Sequence, residues 1–89
     1  MFVLPLLAEF LGAFLLIMSI LATGNAFIIG GTLALIVLLL GGVSGAHVNP
    51  AVSVAMLLKG SISGMELVTF SIAQCMGAAA AYYAYQVLA

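Results

Sequence analysis

Few side chains in this sequence are equipped for chemistry. Apart from the tyrosines, its ionisable groups are Glu9, Glu66, Lys59, His47 and Cys75. No Asp occurs, so a Ser-His-Asp triad cannot be assembled. One His and one Cys cannot supply the ligands of a structural metal site, and a lone cysteine closes no intrachain disulfide. A net charge of −1 offers no footprint for nucleic acid. Neither catalysis nor a metal or cofactor is expected. What remains is a set of polar groups embedded in apolar sequence: Glu9, Gln74, His47 and the tripeptide Asn49-Pro50-Ala51. Asn is a good N-cap and Pro is favoured at the first helical position, so the tripeptide reads as a helix start. Alone it is a weak signal, since soluble helices begin the same way. Inside a bilayer, such a start would place unsatisfied N–H groups and the positive end of the macrodipole at mid-membrane. Cations would be repelled there and neutral solutes would not.

The elements that must position these groups follow from composition. Of 89 residues, 67% are hydrophobic and 3% charged, against about a quarter charged in a soluble domain. A chain of this size leaves much of its surface in contact with solvent, and so few charges cannot cover it. The solvent is lipid, and the chain is expected to be an integral, multi-pass membrane protein. A bilayer-crossing helix needs about 20 mostly apolar residues. The sequence predicts spans over about 3–23, 26–42 and 64–88. The first is too long for the apolar part of a signal peptide, lacks a basic leader and carries Glu9, so it reads as a retained span. Thr23-Gly24-Asn25 reads as a turn. Ser63 with Glu66 three residues later forms a capping-box pattern at the start of the third span, which accounts for Glu66.

Between the second and third spans lies a different pattern. Residues 43–49 are rich in small residues and end at Pro50, which favours a loop over a continuing helix. Residues 50–58 are apolar again and stop at Lys59-Gly60. Nine residues make roughly 14 Å of helix, half a bilayer. The pattern suggests a re-entrant element that descends as an extended loop and returns as a half-helix. Backbone can lie at that depth only if protein or a water-filled cavity satisfies it. The competing reading is a short amphipathic connector at the membrane surface.

Three motifs carry a resemblance. They are Ala8-Glu9-Phe10-Leu11-Gly12 in the first span, Ser44-Gly45-Ala46-His47-Val48-Asn49-Pro50-Ala51-Val52-Ser53 around the half-helix, and Ile72-Ala73-Gln74-Cys75-Met76-Gly77-Ala78 in the third span. In order and spacing they resemble the aquaporin and aquaglyceroporin family, the major intrinsic proteins, over essentially the whole chain. The match is to one half of that fold, and its context resembles the N-terminal repeat. The resemblance implies an all-α membrane protein with three transmembrane helices and one re-entrant half-helix, half of an inverted-repeat fold. It implies a passive channel for water or small neutral solutes such as glycerol and dissolved gases. One half cannot enclose a pore, so an inverted partner is implied, supplied either by a different chain or by a second copy of this one. Orientation follows Lys and Arg in short loops, and here only Lys59 exists. Such weak instruction suits a chain that inserts both ways and forms an antiparallel homodimer. By analogy with the family's tetramers, four dimers of eight chains would surround four pores.

The resemblance also assigns residues. Asn49, Pro50 and Ala51 would form the half-helix tip at the pore. Gly45, Ala46, His47 and Val48 would line it with backbone carbonyls. Glu9 and Gln74 would brace the loop, and His47 would brace it or line the mouth, with gating by titration as the competing role. Carried over by spacing, the narrow constriction falls at Ile29, Val37, Ala46 and Val52, all apolar where water-selective members place an aromatic, a His and an Arg. The absence of that Arg predicts a wider, less polar passage with modest discrimination. Small residues at Ala8/Gly12, Ala73/Gly77 and Gly77/Ala81 support close packing of the first and third spans. Tyr82, Tyr83 and Tyr85 fit an interfacial belt. Two other classes stay open at this level: a small dual-topology transporter coupled to protons through Glu9, and a non-conducting membrane subunit or remnant.

Overall fold

Helix starts and stops in this chain are set by a few polar residues and glycines. A computed structural model describes residues 3–89, which form α1 (Val3–Thr23), α2 (Ala26–Ser44), α3 (Pro50–Lys59) and α4 (Gly64–Leu88). Asn25 caps α2 by accepting from the N–H groups of Phe27 and Ile28 at 2.9 and 3.0 Å. Ser63 and Glu66 form the reciprocal capping box of α4, with bonds of 2.9 and 3.1 Å. Gly60 closes α3 in the left-handed conformation with φ 89°. α1, α2 and α4 are each long and apolar enough to cross a bilayer. α3, with 10 residues, is about 15 Å long and reaches only halfway.

α2 ends later than its glycines suggest. Gly41 and Gly42 stay helical, and the chain breaks only at Gly45, whose φ of 90° permits the left-handed C-cap. The physical reason is that a membrane helix has no competing water, so two glycines cost less than an unpaired backbone. The loop that follows is also not simply extended, because Ala46 and Val48 take φ of 50° and 46°.

α1 is the organising helix, packed against both α2 and α4, while α3 rests on α4. Gly77 lies directly against the backbone of α1: a Cβ there would collide with the Phe10 carbonyl oxygen and lie 3.1 Å from Phe14 N. Gly12 serves a different contact. A Cβ at Gly12 would sit 2.5 Å from Val48 Cγ1 and 3.2 Å from Ile36 Cγ2, so its absence admits the loop and α2. Small residues therefore pack α1 on α4, as their spacing suggests, and also seat the re-entrant loop. α2 buries only Ile36 within the chain. Its remaining apolar surface faces outward, as lipid or a second apolar surface requires. The fold is an all-α membrane fold of three spans and one half-helix.

Candidate functional site

The polar groups singled out by sequence converge beneath the loop between α2 and α3. Glu9 is fully buried in α1. Its Oε2 accepts from the Ser44 hydroxyl at 2.6 Å and from His47 N–H at 3.1 Å. Its Oε1 accepts from Val48 N–H at 2.8 Å and from Gln74 Nε2 at 2.7 Å. One carboxylate thus takes donors from α2, the loop and α4. A buried carboxylate is costly unless it is matched this way, and so is loop backbone that lipid cannot solvate. Each solves the other's problem. The Glu9 bond also holds Val48 in the left-handed region, which a β-branched residue rarely adopts.

A second ring of contacts joins the loop to α3. Ser53, fully buried, accepts from Gln74 Nε2 at 3.2 Å and lies 2.8 Å from His47 Nδ1. The serine oxygen has a second lone pair as well as its proton, so it pairs with Nδ1 as acceptor or donor according to the imidazole tautomer. The imidazole is 6% exposed and tilts against Phe70, centroids 5.2 Å apart. Ser44 and Ser53 bound the motif around the half-helix but had no role assigned to them, and Phe70 was not singled out. Two serines adjoining a Gly-rich turn and an Asn-Pro start were the available signal. Ser53→Ala should destabilise the folded chain by about 1–2 kcal/mol, because it strips Gln74 and His47 of a shared partner. Denaturation in increasing dodecyl sulfate, followed by circular dichroism, measures it.

The remaining sequence-derived residues fall in two places. Asn49, Pro50 and Ala51 are exposed at the tip of α3. Asn49 Oδ1 accepts from Ala51 N–H at 2.8 Å, so the cap bond turns its Nδ2 hydrogens away from the helix. Gly45 is exposed, whereas Ala46, His47 and Val48 are buried. Among the described residues no donor reaches the carbonyl oxygens of 45–48. Val37 and Val52 lie open on the surface, 48% and 37% exposed, and Ile29 is half-buried. The fold does not bring Ala46 out to join them: it clusters with Ile36 and Val48, so its side chain faces inward. No group of three or more His, Cys, Asp or Glu able to hold a metal occurs among the described residues.

A family model described as "Major intrinsic protein" matches residues 1–88. The chain is similar to "Glycerol uptake facilitator protein-like 6" of Lactiplantibacillus plantarum, 38% identical over 81 residues, covering 81% of this chain and 38% of that protein. It is similar to "Aquaporin-3" of Milnesium tardigradum, 37% identical over 94 aligned positions, covering 81% of this chain and 29% of that one. It is also similar to "Probable aquaporin PIP2-4" of Arabidopsis thaliana, 40% identical over 55 residues, covering 62% of this chain and 19% of that one. The chain therefore spans well under half the length of these relatives. No solved structure matches it.

Proposed function

The chain belongs to the major intrinsic protein family, and we propose that it forms, with an inverted second copy, a passive transmembrane path for water and small neutral solutes such as glycerol or dissolved gases. It is an integral membrane protein with three long apolar helices. The observation that carries the reading is the tip of α3. There Asn49 spends its oxygen on Ala51 N–H and keeps its amide hydrogens for a passing solute. The half-helix adds the positive end of its dipole, about half an elementary charge, at a depth where lipid screens nothing. The unengaged carbonyls of 45–48 would offer acceptors on the approach to the tip. In this reading Ile29, Val37 and Val52 form the apolar constriction, and Ala46 contributes its backbone rather than its methyl group. Four such dimers would make an eight-chain assembly.

The geometry does not favour a proton-coupled transporter. A coupling carboxylate needs a route to water, whereas Glu9 is fully enclosed and both its oxygens are taken by donors.

Stopped-flow light scattering of proteoliposomes under an osmotic step tests the proposal. Wild-type vesicles should shrink several-fold faster than protein-free ones. Asn49→Asp keeps the cap but places a full negative charge beside a helix end of about +0.5, so it should admit cations and slow water. If wild-type vesicles shrink no faster than empty ones, the channel reading is wrong.

A further inference from the structure

Val48 takes a backbone conformation that its side chain opposes. Among the described residues a positive φ falls on Gly24, Gly45 and Gly60, on Ala46, and on Val48 at 46°. Val48 alone of these is β-branched, the kind of side chain that fits the left-handed region worst, whereas glycine enters it without steric penalty. Strain of this kind persists only where the surroundings enforce it, and it gathers where a conformation serves function. The question is what a valine does at this place that a glycine could not.

The answer lies on α1. Val48 is buried, and its Cγ1 stands 2.5 Å from where a Cβ of Gly12 would be. Ile36 and Leu40 of α2 close the same notch, with Ile36 Cγ2 and Leu40 Cδ1 at 3.2 and 3.5 Å from that point. Glu9 lies three residues before Gly12, hence on the same face of α1, and its Oε1 accepts from Val48 N–H at 2.8 Å. One face of α1 therefore grips Val48 twice, by its N–H and by its side chain. A glycine in its place would keep the first grip and lose the second. Asn49 follows directly. α3 rests on α4 and does not pack on α1, and the side-chain bond of Asn49 stays within its own helix start. Val48 is thus the last residue that α1 holds before the tip.

Resting on the channel reading above, we infer that Gly12 and Val48 are positioning residues that set how far Asn49 projects into the path, and thereby which solutes pass. The notch at Gly12 lies behind Val48, and the exposed Asn49 stands in front of it. A valine pushed out of the notch advances the tip and narrows the path. An emptied notch lets the tip recede and widens it. Branching at Cβ suits this role, because a side chain stiff at χ1 passes a push on to its backbone instead of absorbing it by a change of rotamer. The left-handed turn at Val48 is what aims the side chain at α1 while the chain continues outward to Asn49.

Proteoliposomes give a water and a glycerol permeability, and the ratio of the two does not depend on how much of the protein is folded. Gly12→Ala places a methyl group against Val48 Cγ1 and should lower the glycerol-to-water ratio several-fold. Val48→Ala empties the notch and should raise it several-fold. The double variant Gly12→Ala/Val48→Ala sets one methyl group where others were removed, so it should return the ratio towards wild type. A role in stability alone predicts less flux of both solutes and the wild-type ratio in every variant, and that result overturns the inference. The placement of Asn49 is read separately. The chain has two asparagines, so isotopically labelled asparagine gives two side-chain amide signals in detergent, from Asn25 and Asn49. The Asn49 signal should move in each single variant and return in the double one, while the Asn25 signal stays. If Gly12→Ala does not fold, Val48→Ala decides: an unmoved Asn49 signal overturns the inference. Wild-type vesicles that conduct neither solute remove the channel reading, and the amide signals then judge the placement of Asn49 on their own.

Discussion

Glu9→Gln should destabilise the folded chain by about 2–4 kcal/mol, because it turns an acceptor-only group into one that faces donors with a donor. The carboxylate accepts two bonds on each oxygen. An amide in the same place retains one oxygen, which can still serve Val48 N–H and Gln74 or else Ser44 and His47 N–H. The other pair then meets an NH₂ group. The Ser44 hydroxyl can rotate and accept instead, but a backbone N–H cannot, so at least one loop N–H is left unpaired in a buried site. Where the lost bond is that of Val48, its left-handed conformation loses its anchor as well. Dodecyl sulfate titration followed by circular dichroism measures the loss, and thinned protection of residues 45–48 in hydrogen exchange locates it. The result also bears on function. A Glu9 that carries protons would be replaced by Gln with the fold intact and only coupled transport lost. Unchanged denaturation of Glu9→Gln would therefore remove the bracing role.

Gly77→Leu should be the more damaging of the remaining single changes, expected at about 3 kcal/mol or beyond the stability of the chain altogether. The obstacle is main chain: the Phe10 carbonyl and Phe14 N occupy the space that even a Cβ would need. Side chains swing away from an intruder, whereas helix backbone moves only if α1 and α4 separate along their length. That interface presents Gln74 to Glu9, so the loop is lost with it. Gly31 provides the contrast. It lies inside α2, in its second turn, with nothing within 4 Å of where a Cβ would stand. Gly31→Ala should stabilise the helix by up to about 1 kcal/mol through backbone entropy and propensity. The two variants, compared in the same denaturation experiment, check both halves of the argument. Equal effects would mean that the close approach of α1 and α4 is not what holds the fold.

These two glycines show where sequence reading stops. In the text of the sequence Gly31 and Gly77 are both small residues in an apolar helix. Spacing suggested that Gly77 packs and was silent on Gly31, but only the third dimension shows a carbonyl oxygen against one and open surface at the other. The same holds for the polar residues. Glu9 and Gln74 stood out because an ionisable or amide group in a membrane span is expensive and demands a partner. That Ser44 and Ser53 would complete the set was not legible. A serine is cheap in many settings, and its role appears only when its neighbours are known. Ala46 shows the limit in the other direction. Spacing carried it to the constriction, but the left-handed turn at Gly45 and Ala46 rotates its methyl group into the cluster with Ile36 and Val48. Turn geometry of that kind depends on Glu9, far away in sequence, and so cannot be read locally.

The sequence by itself determined the solvent, the number of spans, the half-length of α3 and the chemistry at its start. Those properties are carried by composition, by helix length set against a bilayer of fixed thickness, and by caps that act within a few residues. Tertiary structure decided how one buried carboxylate satisfies the loop and which face of Asn49 is free. It also decided that Gln74 Oε1 is left buried without a hydrogen-bond partner. Those properties depend on groups 21 to 65 residues apart in the chain meeting at hydrogen-bonding distance. No local pattern encodes such a meeting, because it exists only once the helices have packed.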